Sequence, residues 1–159
     1  MIESEKTTMN QHWTDDERTT WLAFLRTFST INRQLATDME HYHQLPMAWY
    51  DVLIHLYHSP NQRLQMQELA GQVMMSNSGL TRLVDRIIED GLVERCPCAD
   101  DRRVIYISLT KTGYSKIESV FPEHQKRVQA YFLSHLTPDE MNTLKTAFGR
   151  ILNPFNQKE

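Results

Sequence analysis

Apolar residues recur at steps of three and four along the first third of the chain, at Trp21, Phe24, Leu25, Phe28, Ile31, Leu35, Met39 and Tyr42. That spacing predicts an amphipathic helix. Thr14 followed by Glu17 has the capping-box interval, and Asp15, Asp16 and Glu17 put negative charge where a helix dipole favours it. The predicted helix runs roughly 28 residues, about 42 Å at the α-helical rise. A chain of 159 residues can hardly bury so long an element against itself, so the pattern predicts a partner subunit. Residues 1–13 are polar and read as a tail.

Pro46 suits the first turn of a second helix, with Tyr50, Leu53, Ile54 and Tyr57 on one face and Ser59-Pro60-Asn61 as its stop. A short helix follows (Met66, Leu69, Ala70, Val73), then a break at Met75-Ser76-Asn77. The next helix opens near Ser76, a good N-cap, and closes at Gly91; Leu80, Leu83, Val84, Ile87 and Ile88 form its buried face. Two short helices across a tight polar turn outline a helix-turn-helix. Leu92 to Cys96 and Val104 to Leu109 read as strands of a hairpin, the second with Ile105, Ile107 and Leu109 expected on one half-buried face. Thr110 caps a helix carrying Tyr114, Ile117 and Phe121. Pro122 predicts a break or kink, and Val128, Tyr131, Phe132 and Leu136 continue the stripe beyond it. Thr137-Pro138-Asp139-Glu140 restarts a last helix, with Leu136 and Met141 as a staple and Met141, Leu144, Phe148, Ile151 and Leu152 as its apolar stripe.

Composition narrows the function classes. Hydrophobic residues are 40% and charged residues 23%, ordinary for a globular domain. No stretch approaches the roughly 18 apolar residues of a membrane span, and the polar N-terminus carries no signal-peptide core. With only Cys96 and Cys98 as cysteines, the expected location is the reducing cytoplasm, without a membrane partner. The five glycines form no G-x-G-x-x-G or Walker loop. There is no nucleophile elbow either, so no enzyme and no cofactor is expected. His41 with His43, and His55 with His58, are two separate pairs rather than the three or four convergent ligands zinc needs, so no metal is expected.

The net charge of −3 gives no hint of nucleic acid over the whole chain, but the charge is uneven. Residues 63–116 carry eight basic and seven acidic side chains, whereas residues 1–62 carry four and eight. Arg82 and Arg86 share one helical face, and Arg102 and Arg103 crown the hairpin.

Residues 101–113 read Asp-Arg-Arg-Val-Ile-Tyr-Ile-Ser-Leu-Thr-Lys-Thr-Gly, which resembles the wing signature D-x-R-x-x-x-[VI]-x-L-T-x-x-G of the MarR family of transcription regulators. Leu80-Thr81-Arg82-Leu83-Val84-Asp85-Arg86 and Gly91-Leu92-Val93-Glu94-Arg95 resemble that family's recognition helix and the strand after it. The likeness is strongest over residues 64–113. It implies a mainly α fold with a small β-hairpin wing, a winged helix-turn-helix flanked by long dimerisation helices. The expected organisation is a tail (1–13), a dimerisation helix (14–45), the DNA-binding unit (46–113), C-terminal dimerisation helices (114–153) and a second tail (154–159). It also implies a homodimer that represses genes from a pseudopalindromic operator in double-stranded DNA. Many members release DNA when a small, often aromatic molecule binds between the two parts. Many relatives have the hairpin tip D-P-R-D-R-R; here it is Cys98-Ala99-Asp100-Asp101-Arg102-Arg103, which lacks the first Asp and Arg.

A recognition helix entering the major groove N-terminus first makes Ser76, Asn77, Ser78 and Thr81 the residues nearest bases or phosphates. Arg82 forks onto guanine or clamps a phosphate. Arg86 lies a turn deeper, on DNA or in an ion pair with Asp85 or another acid. Arg103 enters a minor groove, Asp101 orients it or caps the turn, and Arg102 touches backbone or solvent. For an effector, the candidates are Trp21, Phe28, Met47, Tyr50 and His55, with ordinary packing as the competing role. Two other readings stay open: a winged-helix protein-interaction module, and a redox-sensing regulator in which Arg95 lowers the pKa of Cys96 or Cys98.

Overall fold

The structure is a computed structural model and describes residues 13–73, 75–97 and 104–156. In chain order the elements are α1 (Asp15–His43), α2 (Met47–His58), β1 (Arg63–Gln65), α3 (Met66–Gln72), α4 (Asn77–Glu89), β2 (Val93–Pro97), β3 (Ile105–Leu109), α5 (Lys111–Tyr131) and α6 (Pro138–Asn156). The expected caps are present. Thr14 and Glu17 form a reciprocal capping box, Ser76 and Thr110 accept from Gly79 N and Gly113 N, and Thr137 and Glu140 exchange hydrogen bonds at the start of α6. Each supplies partners for amide groups a helix start leaves over.

The strands form an antiparallel sheet in the order β1-β3-β2, with Leu64 opposite Ile107 and Cys96 opposite Tyr106. The sequence pattern did not reveal β1. Its three residues are too few for an alternation, and only pairing with β3 defines it. The core fills the space between the sheet and α2, α3, α4 and α5. Leu53, Leu56, Leu69, Leu80, Ile87, Ile107 and Ile117 are fully enclosed there. On α2 the buried positions are Tyr50, Val52, Leu53 and Leu56, while Ile54 and Tyr57 are half-buried.

Two expectations need correction. Ile105 is 49% exposed, because β3 runs past the edge of the core before Ile107 and Leu109 enter it. Pro122 does not break α5, which continues to Tyr131. Proline offers no amide to the carbonyl four residues back, but both Pro122 and Glu118 are exposed, so that carbonyl is not sealed in the core. Ile117 and Val120 meanwhile anchor the same stretch in the core. The last helix also includes residues 154–156, assigned above to a tail. No helix among the described residues is long and apolar enough to cross a membrane.

Candidate nucleic-acid interface

Helix α4 has two unlike faces. Leu80, Val84 and Ile87 are fully buried and hold it against the core. Ser76, Ser78, Thr81, Arg82 and Arg86 are exposed together on the outside. The Asn77 backbone starts the helix, but its side chain lies outside the described residues. At the N-terminus Ser76 Oγ accepts from Gly79 N at 3.3 Å and lies 3.4 Å from Ser78 Oγ. Hydroxyls and open amides at a positive helix end suit an anion such as phosphate. Among the described residues, Arg82 and Arg86 have no acidic partner, so both guanidinium groups stand uncommitted on this face. Asp85 pairs instead with Arg95 on β2 at 2.6 Å, which corrects the expected Arg86–Asp85 pair and ties the helix to the wing sheet.

The far end of α4 is fixed just as closely. Gly91 takes φ 74°, Gly91 N donates to Ile88 O and Leu92 N donates to Ile87 O, a Schellman closure. Thr110 then joins this turn to α5. Its Oγ1 donates to Gly91 O at 2.7 Å and accepts from Gly113 N at 3.0 Å, and its amide donates to Leu92 O. A Cβ on Gly113 would lie 1.9 Å from Leu92 O, so only glycine allows this approach. The Leu-Thr-x-x-Gly run at 109–113 therefore has a local physical role: it clasps the closing turn of α4 to α5.

In the wing, Arg63 lies over the Tyr106 ring at 4.7 Å, a cation–π contact across β1 and β3. Asp101, Arg102, Arg103 and Cys98 lie outside the described residues. Cys96 is half-buried, and burial together with the Glu94 carboxylate pushes its thiol pKa up. A thiol sensor needs the opposite shift, and Arg95, expected to supply it, is engaged with Asp85. Neither observation favours redox sensing at Cys96.

The five effector candidates do not meet at one place in the chain. Tyr50 is buried with its ring 4.4 Å from that of His124, and Met47 and His55 are half-buried on the same helix. Trp21 instead meets Trp13 edge-on and Phe24 at a tilt, and Phe28 stacks on Phe24, along the exposed first half of α1. Among the described residues no group of three or more His, Cys, Asp or Glu is arranged around a common point.

Sequence reasoning missed one polar cluster. Asp38 is buried, and its carboxylate accepts from Gln34 Nε2 (3.0 Å), Arg127 Nη1 (3.1 Å) and Tyr131 Oη (2.6 Å). The Tyr131 hydroxyl chiefly, with Gln34 and Arg127, holds its pKa below the usual carboxylate value against the effect of burial. A signal was present: an acid beside Met39 and three residues after Leu35, inside the apolar stripe, needs a partner.

Comparison with known proteins agrees with this architecture. The sequence profile of the MarR family matches residues 43–104. The repressor YetL of Bacillus subtilis is 31% identical over 110 residues, covering 67% of this chain and 65% of YetL, slightly under two thirds of that protein's length. AbsC, a MarR family regulator from Streptomyces coelicolor, superposes with a TM-score of 0.89 at 29% identity, over 93% of this chain and 99% of AbsC. Sco3205 from the same organism, solved in complex with DNA, superposes with a TM-score of 0.88 at 26% identity, over 94% of each chain. With a helix-turn-helix, a three-stranded wing sheet and these relatives, the chain belongs to the MarR family of winged-helix transcription regulators.

Proposed function

We propose that the protein is a repressor that binds a pseudopalindromic operator in double-stranded DNA as a homodimer in the cytoplasm. The observation that carries this reading is the outer face of α4, where Ser76, Ser78, Thr81, Arg82 and Arg86 are exposed together opposite a fully buried apolar face. Ser76, Asn77, Ser78 and Thr81 meet base edges and phosphates at the helix N-terminus, Arg82 and Arg86 contact DNA deeper along the groove, and Arg103, steadied by Asp101 and flanked by Arg102, enters the adjacent minor groove. Exposed apolar side chains on α1 and α6, among them Phe28 and Ile151 at 60% each, are what a second copy would cover. A small aromatic effector acts at the junction of arm and DNA-binding unit, where Met47, Tyr50 and His55 sit on a helix packed against α5. Trp21 and Phe28 serve the dimer contact instead. That the relatives are transcription regulators supports a role without catalysis.

The test is the double variant Arg82→Ala/Arg103→Ala on the DNA flanking the protein's own gene. Removing these two guanidinium groups from phosphates or bases weakens binding, and the salt dependence becomes shallower by about one unit for each phosphate no longer neutralised. Unchanged affinity and salt slope would show that other residues read the DNA.

A further inference from the structure

Asp38 is the only buried charged side chain among the described residues. Its placement is specific. Gln34, Asp38 and Tyr42 follow each other at steps of four on α1, and Arg127 and Tyr131 do so on α5. Gln34, Arg127 and Tyr131 converge on the one carboxylate, while the Arg127 guanidinium also lies over the Tyr42 ring at 4.2 Å. The cluster therefore fastens the long arm helix to α5 at a fixed point and angle. At the other end of the same helix, Thr110 and Gly113 clasp the closing turn of α4. Between clasp and clamp α5 is unbroken, roughly 25 Å from Thr110 to Arg127 at the helical rise.

We propose that Asp38, Arg127 and Tyr131 are positioning residues for DNA binding: acting through α5, they set the separation and angle of the two recognition helices in the dimer. The inference rests on the homodimer reading above. The physical reason lies in what a buried ionic cluster does best. Replacing it with apolar groups of similar volume often leaves stability unchanged or raised, so fold stability alone does not call for it. Its hydrogen bonds, unlike dispersion contacts, are satisfied only over a narrow range of distance and angle. Continuous across Pro122, α5 carries that narrow range to the position of α4. No residue of the clamp touches DNA in this reading; its effect is geometric.

The experiment measures affinity for a series of duplexes carrying the footprinted operator with its half-sites moved by one or two base pairs in either direction. Each insertion changes both separation and rotation, so a rigid dimer has a sharp optimum. For the wild type, a one-base-pair change lowers affinity about tenfold or more, and in Asp38→Leu/Arg127→Met/Tyr131→Phe that penalty shrinks to about twofold or less, a loss of about fivefold at the lower end of ordinary coupling effects. The single variant Tyr131→Phe, which removes only the 2.6 Å hydrogen bond, shifts the profile the same way by a smaller amount and keeps the test decisive if the triple variant does not fold. Melting temperature and affinity for an isolated half-site are recorded alongside. A profile as sharp as wild type in folded variants overturns the positioning role, even if the melting temperature falls. A wild type indifferent to spacing overturns the homodimer reading and the inference with it.

Discussion

The helix-turn-helix unit and the arm formed by α1 and α6 use similar apolar residues to opposite ends. In the first, leucines and isoleucines from α2, α3, α4, α5 and the sheet enclose one another completely within a single chain. In the second, Trp21, Phe24, Phe28, Phe148, Ile151, Leu152 and Phe155 are as apolar but remain between 38% and 73% exposed. Phe24 and Phe148, at 6.1 Å, are a ring contact that joins the two arm helices. One region is a finished core, and the other leaves the same kind of side chain uncovered. The difference predicts that the reading unit folds by itself, while the arm gains its stability by association.

A charge in the arm breaks that contrast most strongly. Phe28→Asp combined with Ile151→Asp should leave the enclosed core untouched and abolish dimerisation, with operator affinity falling by about a hundredfold or more as the second half-site is lost. Sedimentation measures the first effect and a gel shift the second. If the variant sediments as the wild type does, α1 and α6 are not the shared surface.

Gly113→Ala tests the reading unit instead. The new Cβ would overlap Leu92 O, forcing the clasp apart at a cost of about 3 kcal/mol. Thermal unfolding should show a drop of several degrees, with the dimer still formed if the protein remains folded. An unchanged melting temperature would mean that the clasp yields easily.

The smallest expected effect concerns the junction between the regions. His43 ends α1 and His124 lies on α5. Burial first, then the neighbouring Arg127 charge, pushes both histidine pKa values below the usual value, with Lys116 adding to this and Glu123 opposing it at His43. Neutral His43 and His124 are therefore the forms the fold favours. Because both folded pKa values lie below the unfolded one, this contribution is whole above about pH 6.5 and is lost as pH falls from there toward the folded values. Asp38 shifts the other way from burial's pull and keeps its contribution until the carboxylate range near pH 4 is reached. Melting temperature should accordingly fall between pH 7.5 and 5.5, and less so in His43→Gln/His124→Gln. A flat profile in the wild type would contradict the burial argument.

What could be read in advance was what depends on neighbours along the chain. The capping pairs Thr14–Glu17 and Thr137–Glu140, the N-caps Ser76 and Thr110, the turn at Gly91 and the apolar periodicity of α1 and α4 are all local chemistry, and all are present. Elements defined by distant partners were not legible. Strand β1 exists through pairing with residues 106–108. The partners of Asp38 on α5 lie 89 and 93 residues away. Asp85 chose Arg95 across the turn rather than the adjacent Arg86, since β2 brings that guanidinium alongside α4. At the interface the exposed face of α4 followed from periodicity, because residues that are not at Leu80, Val84 and Ile87 must face outward. The grouping of the effector candidates was not legible, because Trp21 and Tyr50 resemble each other in chemistry but sit in separate clusters.

Hydroxyl-radical footprinting of the wild-type protein on the DNA beside its own gene tests the account most directly. Two protected tracts, with centres about one helical turn (roughly 34 Å) apart and related by a two-fold axis, are the predicted result. A single protected tract without a symmetric partner, or none at all, would contradict it.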